Sequence, residues 1–291
     1  MRRTLPLMGL LIDNLAVGFL AAFGLLTGLP GSALAGPITT VAYYRLGEAD
    51  LPTGVPGNPG NPVTVDSSGN GNNLALTGSA TYAPALAPFS TVSMGFSGSG
   101  FYSRAAFGGI TDNFMLEGYF NVSSVLLPYH SAPFYNGNPG SHGFGFEVTD
   151  GKYQGLYGGV AYLSTGQAEI AGDTIYMALV RDMGDTRVYF SRNGGPLTAY
   201  DFGNIGPNPV SGGDQFSIGD PYLPSQDHLP FKGSIDETRL SIFAPGTFST
   251  GDLLVNTTPE PSTMVLMGLA GGILVVWHRR TRKAPSDPLP A

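Results

Sequence analysis

Apolar residues in the middle of this 291-residue chain recur at every second position, and this alternation restricts the fold more than any other feature. In FMLEGYFNV, residues 114–122, Phe114, Leu116 and Phe120 would face one side of a strand and the residues between them the other. No window of the sequence sustains the 3.6-residue apolar spacing of an amphipathic helix. The alternation therefore predicts β-strands.

Further strands are predicted along the chain, separated by turn residues. The sequence contains 43 Gly and 24 Pro with only 12% charged residues, which fits many turns better than a helical bundle. Met183-Gly184-Asp185 separates two alternating runs and predicts a hairpin. We expect an all-β, two-sheet antiparallel sandwich with a dozen or so strands. The other predicted strands are VAYYRL, VSMGFSG, GFGFEVTD, GVAYLST, IYMALVRD, TRVYFSRNG, QFSIGD and GSIDETRLSIF.

Charge and cysteine content exclude several classes of function. Six of the 14 basic and three of the 21 acidic residues lie in the terminal segments, which leaves 8 basic and 18 acidic residues in the middle. So acidic a domain is poorly suited to binding nucleic acid and fits neutral glycans or divalent cations better. The chain has no Cys, so it can form neither disulfides nor thiolate metal sites.

The N-terminal segment, residues 1–35, reads as a secretory signal peptide. Arg2 and Arg3 precede an apolar stretch, and Ala33-Leu34-Ala35 is a small-x-small site. We expect signal peptidase to cut after Ala35 and the protein to be exported. The rival interpretation is an anchor helix that is not cleaved.

A second apolar segment lies near the C-terminus. Residues 263–277 are uncharged and, as a helix, would extend roughly 22 Å, which is short for a hydrocarbon core of about 30 Å. Such a transmembrane helix could be an ordinary anchor or a temporary one. Pro259-Glu260-Pro261 stands before it and the basic pair Arg279 and Arg280 follows.

These three parts, in this order, resemble the PEP-CTERM sorting signal of Gram-negative bacteria. The resemblance covers residues 259–283, and the tail at 284–291 extends beyond the family's usual end. It implies processing near Pro259–Pro261 by an exosortase after transient anchoring in the inner membrane. It also implies a cell-surface or extracellular destination beside exopolysaccharide, as in a biofilm matrix.

The middle of the chain resembles laminin G-like, concanavalin A-like jelly rolls over residues 38–243. The matching segments, in order, are VAYYRLGE, DSSGNGNNLAL, FMLEGYFNV, IYMALVRDMGDTRVYFSRNG and FKGSIDETRLS. The departures are Tyr119, where a Trp is common, and an insertion at 51–62. We therefore expect a jelly-roll domain at 36–246 and a linker at 247–258.

The loop that begins at Asp66 is a candidate calcium site. Its oxygens at alternate positions are like the front half of an EF-hand loop, although Thr77 stands where the bidentate Glu would be. From the residues alone the loop reads equally as an Asn/Gly/Ser turn. The jelly-roll resemblance implies one structural Ca²⁺, with Asp236, Glu48, Asp66 and the Gly71 carbonyl as candidate ligands.

Catalytic signatures are weak in this sequence. Glu117, Glu147 and Asp150 lie on or beside strands, but none belongs to the paired-carboxylate strand motif of related hydrolases. His130, His142 and His228 lie far apart in Gly/Pro loops without zinc-site spacing. We therefore expect a protein that is not an enzyme.

Tyrosines in the loop-rich part of the chain could bind sugars. Tyr129, Tyr135 and Tyr157 are the candidate ligand-binding residues, because aromatic faces stack on sugar rings. The alternative is that these rings simply pack the sandwich core.

Together these observations predict an exported, non-catalytic surface or extracellular-matrix protein whose jelly roll binds a carbohydrate or a matrix protein. Two alternatives stay open: a polysaccharide-degrading or modifying enzyme of the concanavalin A-like class, and a purely structural matrix component.

Overall fold

The structure, a computed structural model, describes residues 38–48, 63–125, 130–219 and 229–256. These residues form sixteen β-strands and two short 3-10 turns, Thr250–Asp252 and Leu254–Asn256. In chain order the strands are β1 (Thr39–Tyr44), β2 (Val63–Thr64), β3 (Leu74–Gly78), β4 (Thr81–Pro84), β5 (Val92–Ser97), β6 (Gly100–Ala105), β7 (Phe114–Val122), β8 (Phe134–Asn138), β9 (His142–Thr149), β10 (Lys152–Tyr157), β11 (Ala161–Ala168), β12 (Ile175–Asp182), β13 (Asp185–Arg192), β14 (Thr198–Gly203), β15 (Gln215–Ile218) and β16 (Lys232–Ile242).

The strands divide into two antiparallel sheets of eight strands each. The first sheet has the order β14-β13-β12-β7-β16-β5-β4, and β1 also pairs with β16. The second sheet has the order β11-β10-β9-β8-β15-β6-β3-β2. The predicted all-β, two-sheet jelly-roll sandwich is confirmed.

The predicted hairpin at Met183 is also confirmed. Strands β12 and β13 pair along their whole length, from Ile175 opposite Arg192 to Asp182 opposite Asp185. Only Met183 and Gly184 connect them. Both connecting residues have positive φ, 51° and 89°, as a two-residue hairpin turn of type I′ requires.

Aromatic rings from both sheets fill the space between them. Phe114 of the first sheet stacks on Phe144 of the second at 4.0 Å, and Phe120 meets Phe134 edge-on at 6.0 Å. Each ring is almost fully buried, which stabilises the fold by about 1.5–3 kcal/mol per side chain. Gly118 belongs to the same inward set, because a Cβ there would lie 3.0 Å from the Phe134 ring. The alternation that predicted β7 thus also identifies its inner face.

The outer face of the first sheet carries a second apolar cluster. Its buried members include Met115, Tyr119 and Tyr176 from the sheet together with Leu253 and Leu254 from the end of the described chain. We call residues 249–256 the strap. Ser249 and Asp252 form a reciprocal capping box at its start, so the turn is held locally as well as by the sheet.

The strap differs from the linker predicted at 247–258. Leu253 and Leu254 are 0% and 4% exposed, so this stretch is packed on the sheet up to Asn256. The prediction missed it because the apolar pair is too short to show a period, and only contact with the sheet orders it.

Several predicted features lie outside the described residues. They are the signal peptide with Ala35, the insertion at 51–62, Tyr129, His228, the sorting signal with Pro259, Glu260, Pro261, Arg279 and Arg280, and the helix at 263–277. In the described part of the chain, no helix has the length and apolar character needed to cross a membrane.

Candidate functional site

A groove of about 550 Å³ opens on the outer face of the first sheet. It lies between the strap, the loop after β4 and the turn after β13. None of its lining residues is ionisable within the physiological range, since the two tyrosines are the only titratable ones. The lining consists of Leu86, Pro88, Tyr119, Thr174, Tyr176, Ser191, Asn193, Gly194 and Val255.

Two neighbouring tyrosines form the floor of the groove. Tyr119 of β7 and Tyr176 of β12 are directly paired across the strands, and their ring centroids are 4.9 Å apart at an interplanar angle of 52°. They are 4% and 2% exposed. The Tyr176 hydroxyl donates to Glu117, whereas the buried Tyr119 hydroxyl has no hydrogen-bond partner among the described residues. Burial, followed by the charges of Glu117, Asp236 and Glu237, raises the pKa of Tyr119, so its hydroxyl stays protonated.

Glu117 lies beneath the floor and ties three parts of the fold together. It is fully buried and accepts hydrogen bonds from Tyr176 Oη, from Arg239 Nε at 2.7 Å and from the Leu254 N–H at 2.8 Å. Arg239 also donates to the Asp252 carbonyl in the strap. A buried carboxylate with this many donors is a structural anchor, because removing Arg239 would leave its charge uncompensated and removing either neutral donor would cost a hydrogen bond.

A β-bulge in β16 places two further carboxylates near the same face. Asp236 pairs with Tyr119 and Arg239 with Glu117, so β16 has one residue more than β7 between these pairs. Glu237, inside the bulge, has φ of 51° and receives hydrogen bonds from Tyr43 Oη and, at 3.3 Å, from Arg45 Nε. Burial raises its pKa to about 7, with Asp236 adding to the shift. The sequence patterns did not single out Glu237, although two consecutive acidic residues inside an alternating strand are the signal for it.

Two of the predicted calcium ligands lie close to this bulge. The Oδ2 atom of Asp236 accepts hydrogen bonds from the backbone N–H groups of Leu86 and Ala87, at 3.0 and 3.1 Å. Burial still raises the pKa of Asp236 to about 6. Glu48 accepts a hydrogen bond from the Thr91 N–H and pairs with Arg45. Burial opposes ionisation of Glu48, but these donors outweigh it and lower its pKa.

Asp66, the third carboxylate among the predicted calcium ligands, accepts hydrogen bonds from the backbone of its own loop and of β1. Oδ1 accepts from the N–H groups of Tyr43 and Ser68 at 3.0 and 2.9 Å, and Oδ2 accepts from Asn72 at 2.9 Å. Burial opposes its ionisation, but these hydrogen bonds dominate and lower the pKa of Asp66. Gly71, with φ of 74°, supplies a turn position in the same loop.

The predicted four-ligand calcium site is therefore not assembled. Among the described residues, no group of three or more His, Asp or Glu side chains is arranged to hold a metal ion. Asp66 is occupied by three backbone donors, and Asp236 and Glu48 use their carboxylates to hold the loop at 86–91. Backbone hydrogen bonds hold Asp66 and Glu48 in their loops, whereas Oδ1 of Asp236 is buried without a hydrogen-bond partner among the described residues. Calcium binding by this chain stays a prediction.

On the second sheet, Glu147 forms a separate polar cluster. Its Oε1 lies 3.1 Å from Nδ1 of His130, and Thr149 Oγ1 lies 2.8 Å from the same nitrogen. Burial raises the pKa of Glu147 to about 7, against the opposing effect of His130. Tyr162, which is 54% exposed, lies beside His130 with 6.2 Å between the ring centroids.

Glu117 and Glu147 cannot act on one glycosidic bond. They stand on the outer faces of opposite sheets, since Phe114 and Phe120 beside Glu117, and Phe146 beside Glu147, fill the core between the sheets. Packed sheets are about 10 Å apart before side chains are added on their outer faces, which exceeds the 5–9.5 Å that paired carboxyls need. Asp150 lies in the tight turn between β9 and β10 with φ of 51°.

The prediction that tyrosines bind sugars is wrong for Tyr135 and Tyr157, the two candidates that the structure describes. Tyr157 is 0% exposed in the core between the sheets, where its hydroxyl lies 3.0 Å from Thr186 Oγ1. Tyr135 is also 0% exposed; it donates to the His142 carbonyl and accepts from the Gly158 N–H. Rings enclosed in this way present no face for stacking, so the packing alternative holds for both.

Comparison with known proteins identifies the C-terminal segment. Residues 257–283 match the PEP-CTERM protein-sorting motif. The chain carries a PEP-CTERM sorting signal. It contains Pro259, Glu260, Pro261, Arg279 and Arg280, as predicted. The PEP-CTERM motif implies an exported protein that is membrane-anchored in transit and processed by an exosortase. None of the curated proteins matches the chain.

Solved structures resemble the sandwich domain of this PEP-CTERM chain. Domain 4 of AbnA, a GH43 extracellular arabinanase from Geobacillus stearothermophilus, in complex with arabinotriose, is 18% identical, with a TM-score of 0.52 over 72% of this chain and 95% of that one. A Trypanosoma rangeli sialidase is 14% identical, with a TM-score of 0.48 over 76% of this chain and 34% of that one. At these identities the first likeness supports the jelly-roll fold alone.

Proposed function

We propose that this chain is a non-catalytic surface or extracellular-matrix protein whose jelly roll binds a neutral carbohydrate in the groove on the first sheet. The observation that carries the proposal is the composition of the groove. The rings of Tyr119 and Tyr176 form its floor but are almost fully buried, so Thr174 and Asn193 are the accessible polar residues, and no carboxylate, histidine or basic side chain lines the groove. A site built this way can hold a polyhydroxylated ring but offers no general acid or base.

Charge around the groove favours a neutral ligand. Glu117, Asp236 and Glu237 lie close enough to Tyr119 to raise the pKa of its hydroxyl. The groove also has no basic side chain to pair with a uronate, sulfate or phosphate group, which leaves uncharged sugars as the better fit. The PEP-CTERM signal supports this proposal, because it implies export, and an exported domain can meet extracellular carbohydrate. A domain of the same fold has been solved in complex with arabinotriose, which supports a sugar ligand by analogy of fold.

Binding is tested with arabinotriose and with exopolysaccharide purified from the native host, using the exported full-length protein. Thr174→Trp should abolish binding, because the half-buried Thr174 side chain lines the groove and a larger ring fills it. Thr198→Trp, on the exposed edge strand β14, is the matched control and should bind as the wild type does. Equal binding by both variants would contradict the proposal that the groove is the binding site. No binding by the wild type would contradict the proposal that the ligand is a carbohydrate.

The enzymatic alternative has one observation in its favour. Glu147, with a pKa of about 7, pairs with His130 beside the exposed Tyr162, as a general acid in a cleft would. Release of reducing ends from the same exopolysaccharide, lost in Glu147→Gln, would support this alternative over a binding protein. Unchanged polymer length after prolonged incubation is the result that we expect.

A further inference from the structure

The packed strap ends very close to the processing site. Asn256 is the last described residue before the sorting signal, and only Thr257 and Thr258 separate it from Pro259. Three residue steps of fully extended chain span at most about 10 Å. Chain length therefore keeps Pro259 within about 10 Å of Asn256, and Asn256 stays at the first sheet as long as the strap is docked.

The docked strap is held by specific contacts in addition to apolar burial. The Leu254 N–H donates to Glu117 at 2.8 Å, and Arg239 bridges Glu117 to the Asp252 carbonyl. At its start, Ser249 and Asp252 cap the first turn reciprocally, and at its end the Asn256 side chain donates to the Thr250 carbonyl at 2.9 Å. These contacts fix residues 249–256 in two consecutive tight turns.

We propose that the strap must detach from the first sheet before an exosortase processes the chain, and that Glu117 is the positioning residue that controls this detachment. A protease that cuts near Pro259 needs an accessible, extended chain on the N-terminal side of the bond. Here that chain is coiled into 3-10 turns with Leu253 and Leu254 buried. Cleavage of a transiently opened segment follows the population of its open form when opening is faster than cleavage.

The step assigned to this chain is non-covalent. Detachment breaks the Leu254–Glu117 and Arg239–Asp252 hydrogen bonds and exposes two leucines; the exosortase then makes and breaks the covalent bonds. The docked strap thus slows processing until it opens. This inference rests on the PEP-CTERM motif and the strap contacts, and it does not depend on any ligand in the groove.

The test is pulse-chase processing of the full-length protein in a host that contains its exosortase, followed by the shift in mass. Ser249→Ala removes the cap without touching the core, and we expect processing about fivefold faster. Glu117→Gln should also accelerate processing. Asp201→Asn, an exposed carboxylate on β14, should process as the wild type does.

A spacer distinguishes positioning by the strap from a general loss of stability. Six Gly/Ser residues inserted between Asn256 and Thr257 give the protease free chain while the strap stays docked. We expect the spacer to accelerate processing and to make Ser249→Ala and wild type process at equal rates. A destabilised domain would keep the difference between them.

Hydrogen exchange at the Leu254 N–H reports strap opening directly, and thermal unfolding shows whether each variant is folded. The proposal is overturned if Ser249→Ala opens the strap faster by exchange yet is processed at the wild-type rate. It is also overturned if the spacer leaves the rate of the wild type unchanged. If Glu117→Gln does not fold, the Ser249→Ala variant and the spacer still test the proposal.

Discussion

Two buried tyrosine hydroxyls in this domain have opposite energetic roles. The Tyr135 hydroxyl donates one hydrogen bond and accepts another, whereas the Tyr119 hydroxyl has no hydrogen-bond partner in the described part of the chain. Burying a hydroxyl without a partner costs the free energy of its desolvation, and no hydrogen bond offsets that cost. Such groups are few in native proteins, and this one belongs to a residue that lines the groove.

Replacing each hydroxyl should therefore change stability in opposite directions. We expect Tyr119→Phe to leave the free energy of unfolding unchanged or to raise it by about 1 kcal/mol, and Tyr135→Phe to lower it by about 1–3 kcal/mol. Urea denaturation of the two variants beside the wild type measures both. A loss of stability in Tyr119→Phe would show that its hydroxyl does have a partner in solution.

At the scale of elements, the hairpin between β12 and β13 contains a local conflict. Met183 has φ of 51° and is 69% exposed, so a side chain that disfavours this conformation occupies a position with little packing to compensate. Met183→Asn should raise the free energy of unfolding by about 0.5–1 kcal/mol, because Asn-Gly is the preferred pair for this turn. Thermal unfolding tests it, and a lower melting temperature than that of the wild type would contradict it.

Sequence patterns predicted the central elements well. The segments 114–122 and 175–182 coincide with β7 and β12, because both strands have long alternating runs and clear turn residues. The short edge strands β2, β4 and β14 escaped prediction, since two to six residues carry too little pattern. Strand β8 lies in a segment whose sequence predicts a loop. The Gly and Asn of FYNGN indicate a turn, and only pairing with the neighbouring strands shows that the segment is extended.

The candidate site was less predictable than the fold for a physical reason. The closing strand was predicted at GSIDETRLSIF, but the bulge that sets Asp236 and Arg239 on one face depends on pairing with β7. The groove is assembled from a loop, a turn and the strap, which come from residues up to 169 positions apart in sequence, such as Leu86 and Val255. Single-sequence periodicity has no access to such long-range packing.

For the whole molecule, buried acids predict a stability that depends on pH. Burial raises the pKa of Asp236 to about 6 and those of Glu147 and Glu237 to about 7. The folded state then holds more protons than the unfolded chain between about pH 4 and 7. Because these folded pKa values are raised, the contribution is fully present below about pH 4 and is lost as the pH rises through 6 to 7.

We therefore expect the free energy of unfolding, measured by urea denaturation, to fall by a few kcal/mol between pH 5 and pH 8. Glu237→Gln should remove part of this decline, because its carboxyl no longer titrates. Asp201→Asn should keep it, since hydrogen bonds from the Gly203 N–H and from Arg187 lower the pKa of that exposed carboxyl. A stability that rises over this range would show that hydrogen bonds, rather than burial, control the three acids.

The short connection behind the strap also sets where the domain can work. While the PEP-CTERM segment anchors the chain in transit, seven residue steps, at most about 25 Å of extended chain, join Asn256 to the apolar run that begins at Thr263. Val255, at the rim of the groove, precedes that connection by one residue. During transit the groove would therefore lie close to the lipid surface, so the neutral carbohydrate proposed for it would be met there first.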